Sequence, residues 1–137
     1  MRRIFAPAWY AEHLPWLKEI FREVGQFGVA VFGGVEKVGL WARLHHEVGH
    51  WPVALDAANA FNSVSRATMF HSLATVLPCL LPFVLKLYGG EPPTLFFRMD
   101  SGEMRNIPSR TGAQQGDPLG AVLVCVATLP ALRAFRT

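Results

Sequence analysis

Residues 51–66 of this chain are Trp-Pro-Val-Ala-Leu-Asp-Ala-Ala-Asn-Ala-Phe-Asn-Ser-Val-Ser-Arg, and they place a single carboxylate, Asp56, directly after an apolar run. Residues 53–55 predict a short buried strand, and the Asn and Ser residues that follow predict a turn and a helix start near Ser63. Asp56 is therefore expected at the carboxyl end of a strand. An aspartate in such a loop is either a metal ligand or a turn-forming residue, and both roles stay open on this segment alone.

Composition predicts one globular domain without a membrane partner. The chain has 137 residues, 51% of them hydrophobic, and a formal charge of +3 that leans weakly toward polyanionic partners. Its apolar stretches are shorter than a membrane span, and its amino terminus does not resemble a secretory signal. The expected location is intracellular, in the cytoplasm or nucleus. Cys79 and Cys125 lie in apolar runs, which favours buried thiols over a disulfide or metal pair.

Hydrophobic spacing and turn residues predict the other elements. Helices are expected over residues 9–24, 35–46, 63–77 and 118–133, with a chain bend at Pro78 and Pro82. A strand is expected at residues 29–32, and a β-hairpin at residues 94–99 and 104–108. Phe96 and Phe97 on that hairpin are expected to pack, because a base-stacking platform would need them exposed beside basic residues.

His46-Glu47-Val48-Gly49-His50 matches H-E-x-x-H, the pattern of zinc hydrolases in which two histidines one helical turn apart hold the metal. That geometry requires a helix through the second histidine. Gly49 and the nearby Pro52 predict instead that the helix ends within the motif. A zinc hydrolase is kept as an alternative, and a solvated, histidine-rich helix end is favoured.

A second polar stretch, residues 111–120, reads Thr-Gly-Ala-Gln-Gln-Gly-Asp-Pro-Leu-Gly. Its glycines allow another backbone to approach closely, and Pro118 suits a helix start. Together with Leu-Asp-Ala-Ala-Asn-Ala-Phe-Asn at residues 55–62, it resembles two successive palm motifs of reverse transcriptases, particularly those of non-LTR retrotransposons. The resemblance covers residues 28–133 and includes the Leu-Tyr-Gly stretch at Leu87.

The resemblance implies roles for five residues. Asp56 is similar to the first catalytic carboxylate that holds two Mg²⁺ ions, with the backbone carbonyl of Ala57 as an auxiliary ligand. Phe61 corresponds to the bulky side chain that collides with a ribose 2′-hydroxyl and so selects deoxynucleotides. Gln115 and Gly116 match the loop that contacts the incoming nucleotide and the template.

The implied fold is α+β: a partial right-hand polymerase palm (residues 51–137) with part of the fingers (residues 1–50), without the last catalytic hairpin or the thumb. The implied partners are an RNA template, a DNA primer and deoxynucleoside triphosphates, with phosphates held by basic residues. Arg66, Arg98, Arg105 and Arg110 lie near the motifs, and which of them face the duplex stays open. Two-metal phosphoryl transfer needs more than one carboxylate, and the resemblance positions neither Asp100 nor Asp117 to supply another. The expectation is thus a reverse transcriptase fragment that is inactive alone, the alternative being a non-catalytic nucleic-acid-binding remnant.

Overall fold

The fold combines helices with one small antiparallel sheet, which confirms the α+β class. A computed structural model describes residues 2–135. The helices are α1 (Arg2–Glu23), α2 (Gly34–Glu47), α3 (Ala60–Ser63), α4 (Arg66–Val76), α5 (Leu81–Tyr88) and α6 (Gly120–Ala134), and the strands are β1 (Thr94–Arg98) and β2 (Met104–Pro108). No helix within these residues combines the length and the apolar character needed to cross a membrane.

The core lies among α1, α4, α5 and α6. Its fully buried side chains come from each of these helices and from the turns beside them, and include Leu17, Phe21, Met69, Leu73, Leu77, Leu80, Val84, Leu123 and Val126. Each large apolar side chain moved from water into such a core contributes about 1.5–3 kcal/mol. An exposed ion pair, Arg133 to Glu23 at 3.0 Å, joins the carboxyl ends of α6 and α1 and adds at most about 1 kcal/mol.

Locally encoded elements match their predictions. The helices expected at residues 9–24, 35–46 and 118–133 are present as α1, α2 and α6, and the expected hairpin forms with Phe97 opposite Arg105. The helix expected over residues 63–77 is present as α4, which begins three residues later than expected, after the separate short helix α3. Ser65 sets the start of α4, because its hydroxyl accepts a hydrogen bond from the Thr68 amide at 3.3 Å and so caps the helix.

Both predicted single strands are absent. At residues 29–32 the backbone of Ala30 has φ of 61°, outside the β region, and its amide donates to the Tyr10 hydroxyl at 3.0 Å. Residues 50–57 form neither helix nor strand. The sheet of residues 2–135 consists of β1 and β2 paired with each other, so the segment before Asp56 has no ladder partner within this part of the chain.

Two expectations about burial were also wrong. Phe96 and Phe97 do not pack into a core: they are 70% and 57% exposed, because the hairpin has no helix over either face. Cys79 is exposed in the turn between α4 and α5, whereas Cys125 is half-buried on α6. Burial raises the pKa of the Cys125 thiol to about 11, partly offset by a hydrogen bond from the Gln26 side-chain amide.

Candidate functional site

The predicted site residues fall into two groups in the structure. Phe61, Gln115 and Gly116 belong to a contact between residues 60–66 and residues 109–120, which we call the junction. Asp56 and Ala57 lie outside it, on the exposed segment of residues 50–57. The structure thus brings together the two motif stretches identified in the sequence, but not the predicted metal ligands with the remainder of the site.

Backbone hydrogen bonds join the two sides of the junction. The Ala113 amide donates to the Phe61 carbonyl at 2.8 Å, and the Gly112 amide donates to the Val64 carbonyl at 2.8 Å. The Thr111 hydroxyl adds a 2.8 Å bond to the Asn62 carbonyl. These bonds connect residues about fifty positions apart in sequence and fix the backbone that carries Phe61.

Gly112 makes the close approach possible. It has φ of 72°, and a Cβ at this position would lie 2.3 Å from the Phe61 carbonyl oxygen and 2.5 Å from the Asn62 backbone. Neither the conformation nor the distance suits a larger residue. The prediction that a glycine in this loop admits another backbone is therefore confirmed at Gly112.

Arg66 holds the junction from inside. Its Nε donates to the Gly112 carbonyl at 3.0 Å, and its Nη2 donates to the Ser109 hydroxyl at 3.1 Å and the Thr111 carbonyl at 3.4 Å. Burial lowers the pKa of the guanidinium, opposed by its interaction with Tyr88, whose ring centroid lies 5.1 Å from the Arg66 Cζ. Arg66, one of the basic residues noted near the motifs, is 9% exposed, so its guanidinium faces the junction and not the surface. Arg98, Arg105 and Arg110 are exposed.

Tyr88 ties the Gln-Gly-Asp loop to α5. Its hydroxyl donates to Asp117 Oδ2 and accepts from the Gln114 amide at 3.2 Å. The other carboxylate oxygen, Asp117 Oδ1, accepts from the Leu119 amide at 3.0 Å. The donor of this last bond lies two residues after Asp117, as in the Asx turns that precede helices. An aspartate just before a predicted helix start is therefore the sequence feature that could have assigned Asp117 a structural role. The sequence patterns missed the roles of both Arg66 and Tyr88.

The outer face of the junction presents the remaining predicted residues. Phe61 is 38% exposed, and its ring lies 3.4 Å from where a Cβ on Gly120 would stand. Gln115 and Gly116 are exposed, and Gly116 has φ of 81° with open space around its Cα. Phe61 thus presents a partly exposed ring against Gly120, and the loop that precedes Gly120 offers an amide side chain at Gln115 and an unobstructed backbone at Gly116.

Asp56 does not form a complete site for two Mg²⁺ ions with the described residues. It was expected at a strand end, and that placement is wrong because no strand forms there. Within residues 2–135 no group of three or more His, Cys, Asp or Glu side chains is arranged to hold a metal ion. Asp117 is bonded to Tyr88, and Asp100 is exposed in the hairpin turn. The donor set around Asp56 and Ala57 therefore does not fit the pair of ions.

The zinc-hydrolase geometry is not formed either. Helix α2 ends at Glu47, inside the H-E-x-x-H pattern, as Gly49 and Pro52 predicted. His46 lies on the last helical turn with its ring 5.1 Å from that of Trp51, whereas His50 lies beyond the helix with its ring next to His45. The two histidines of the motif do not occupy one helical face.

A surface cavity of about 680 Å³ lies between α1 and the start of α2. Its lining includes the cations Lys18, Arg22 and Lys37 and the carboxylate Glu19, but none of the residues predicted for the site.

Comparison with protein-family models, curated proteins and solved structures finds no match to this chain.

Proposed function

We propose that this chain is part of a reverse transcriptase of the non-LTR retrotransposon type, and that the described residues bind template, primer and deoxynucleotide as part of the palm and fingers. The proposal rests on the two sequence motifs that resemble this family. One structural observation supports it: the junction places Phe61 against residues 112–113 and Gly120, which flank the Gln-Gly-Asp loop, although the two stretches are far apart in sequence.

The state of Phe61 suits a selective role better than a packing role. A core phenylalanine is normally buried, whereas this ring remains partly exposed beside Gly120. Its backbone cannot retreat easily, since the Phe61 carbonyl accepts the Ala113 amide and Gly112 fills the space behind it. A rigid ring at this place would admit a deoxyribose and collide with a 2′-hydroxyl.

We assign these residues to recognition of nucleic acid and deoxynucleotide, and not to catalysis. Two-metal nucleotidyl transfer needs several carboxylates around the ions, and Asp56 with the Ala57 carbonyl does not provide them. Purified protein of these 137 residues should therefore bind nucleic acid without extending a primer.

A second candidate function, a non-catalytic nucleic-acid-binding remnant, is favoured by the hairpin. Phe97 and Arg105 stand opposite each other on an uncovered face, and Phe96 and Arg98 lie on the same strand, exposed. Exposed aromatic rings beside guanidinium groups suit stacking with unpaired bases, each stacked base contributing about 1–3 kcal/mol.

One experiment separates the two functions. Binding of dGTP and GTP to the protein is measured by saturation-transfer NMR in Mg²⁺, and binding of a labelled RNA–DNA hybrid and single-stranded RNA by fluorescence anisotropy. The reverse transcriptase proposal predicts that dGTP binds more tightly than GTP and that Phe61→Ala removes the difference. Phe96→Ala is the matched control and should leave the nucleotide preference unchanged.

The remnant makes different predictions in the same assays. It predicts no preference between dGTP and GTP, RNA affinity that Asp56→Asn does not change, and weakening of about tenfold or more by Phe97→Ala. Equal binding of the two nucleotides by the unsubstituted protein would contradict the reverse transcriptase proposal. Loss of the preference in Phe96→Ala as well as Phe61→Ala would contradict the role assigned to Phe61.

A further inference from the structure

The end of α2 has a backbone geometry that brings two histidines together. The His50 amide donates to the His45 carbonyl at 2.9 Å, the Gly49 amide donates to the His46 carbonyl at 3.0 Å, and Gly49 has φ of 89°. This combination is a Schellman motif, in which the residue after the glycine folds back over the helical turn that ends. The two side chains that meet in such a motif are commonly apolar, and here both are imidazoles.

The meeting is close and oriented. Nδ1 of His45 lies 3.1 Å from Nδ1 of His50 in a side-chain hydrogen bond, with ring centroids 5.3 Å apart and ring planes inclined by 27°. Trp41, one helical turn before His45, lies against the His45 ring at a centroid distance of 4.2 Å. His50 is exposed and His45 is half-buried.

The distance between the two Nδ1 atoms matches the spacing of two ligand atoms on one transition-metal ion. Imidazole nitrogens bound at about 2.0–2.1 Å lie about 2.9 Å apart at a right angle and about 3.3 Å apart at the tetrahedral angle. The observed 3.1 Å falls between these values. One of the two hydrogen-bonded Nδ1 atoms carries the shared proton, so a bound ion would displace that proton and take both Nδ1 lone pairs.

We propose that His45 and His50 chelate a divalent transition-metal ion of the class that prefers imidazole, with Cu²⁺ bound more tightly than Ni²⁺ or Zn²⁺. Because the described residues gather no third His, Cys, Asp or Glu ligand, water completes the coordination. The site differs from the H-E-x-x-H pattern, since it uses His45 in place of His46. It is also independent of the Mg²⁺ chemistry and nucleotide binding considered above.

A bound ion would have a structural consequence for the neighbouring segment. His50 is the residue from which the chain leaves α2 toward Asp56. Chelation would replace the side-chain hydrogen bond between His45 and His50 with two metal–nitrogen bonds, beside their backbone hydrogen bond, and so anchor the start of residues 50–57 more firmly on the helix. Amide exchange at Gly49 and His50 should therefore slow when the ion is added.

The test is titration of the purified protein with Cu²⁺ and Ni²⁺ by calorimetry, with electron paramagnetic resonance of the Cu²⁺ complex. His45→Phe and His50→Phe keep an aromatic ring in the Schellman contact but remove the ligand nitrogen. Each is expected to weaken binding by about tenfold or more. His46→Phe, the adjacent exposed histidine, is the matched control and should bind as the unsubstituted protein does.

The spectrum of the unsubstituted protein gives a readout that needs no variant. The Cu²⁺ complex of the unsubstituted protein should show couplings from two imidazole nitrogens, reduced to one in either substituted protein. The proposal is overturned by the absence of saturable binding, by binding that survives in both His45→Phe and His50→Phe, or by equal weakening in His46→Phe.

Discussion

At the scale of single residues, the junction depends on side chains whose chemistry is specific to their positions. Gly112 has no Cβ where a Cβ would meet the Phe61 carbonyl, and Arg66 reaches three acceptors that a shorter or less branched cation could not satisfy together. Neither is one of the five residues to which the resemblance assigns a role. Both determine where Phe61 and the loop tip lie.

Gly112→Ala should destabilise the protein by about 2–4 kcal/mol, because it combines backbone strain with a steric clash. Urea denaturation monitored by tryptophan fluorescence measures the change in the free energy of unfolding. Gly116→Ala is the matched control: it has φ of 81° in the same loop, but no atom lies within 4 Å of the added Cβ. It should cost only about 1 kcal/mol. Equal losses in the two variants would show that conformational strain alone, and not the approach of residues 61–62, acts at Gly112.

At the scale of helices and strands, the sequence predicted what is encoded locally. The helix at residues 9–24 follows from apolar residues at helical spacing, and the hairpin follows from strand-like runs on both sides of Ser101-Gly102. The strand before Asp56 could not be predicted reliably from its own residues, because a strand forms only beside a partner strand. Residues 53–55 have no such partner among the described residues. The inward turn of Arg66 depends on contacts with residues more than forty positions away.

The first turn of α4 is the element that Arg66 connects to the loop. Arg66→Lys keeps the positive charge but cannot donate from Nε and Nη2 to separate acceptors, which leaves buried carbonyl groups without their donor. We expect a loss of about 2–3 kcal/mol in the free energy of unfolding and faster amide exchange at Gly112 and Ala113.

Arg110→Lys, on the exposed side of the same loop, serves as the control for Arg66→Lys and should change stability by less than about 0.5 kcal/mol. A result in which the two substitutions have the same small effect would mean that the hydrogen bonds of Arg66 do not stabilise the junction.

At the scale of the whole molecule, the buried core and the exposed apolar surface are separated. The core belongs to α1, α4, α5 and α6, whereas Trp51, Val53 and Leu55 are 82%, 82% and 84% exposed. The hairpin of β1 and β2 also presents strand edges and exposed aromatic rings. Extended apolar segments and open strand edges both favour pairing between chains.

We therefore expect the purified protein to self-associate as its concentration rises, through residues 51–55 and the hairpin edges. Sedimentation velocity over a range of concentrations measures the association. The double substitution Val53→Lys with Leu55→Lys should weaken it by about tenfold or more, because two charges would have to be removed from water in each contact. The effect on folding should be small, since both side chains are already in solvent.

The control places the same two charges on a different exposed apolar surface, Val35→Lys with Leu40→Lys on α2. If association depended on exposed apolar area in general, both double variants would reduce it to a similar extent. If it depends on an extended segment that another chain can pair with, only the variant at Val53 and Leu55 should do so, because the backbone groups of α2 are already bonded within the helix. Equal reduction in the two variants would therefore contradict the strand-pairing explanation and leave apolar area as the cause.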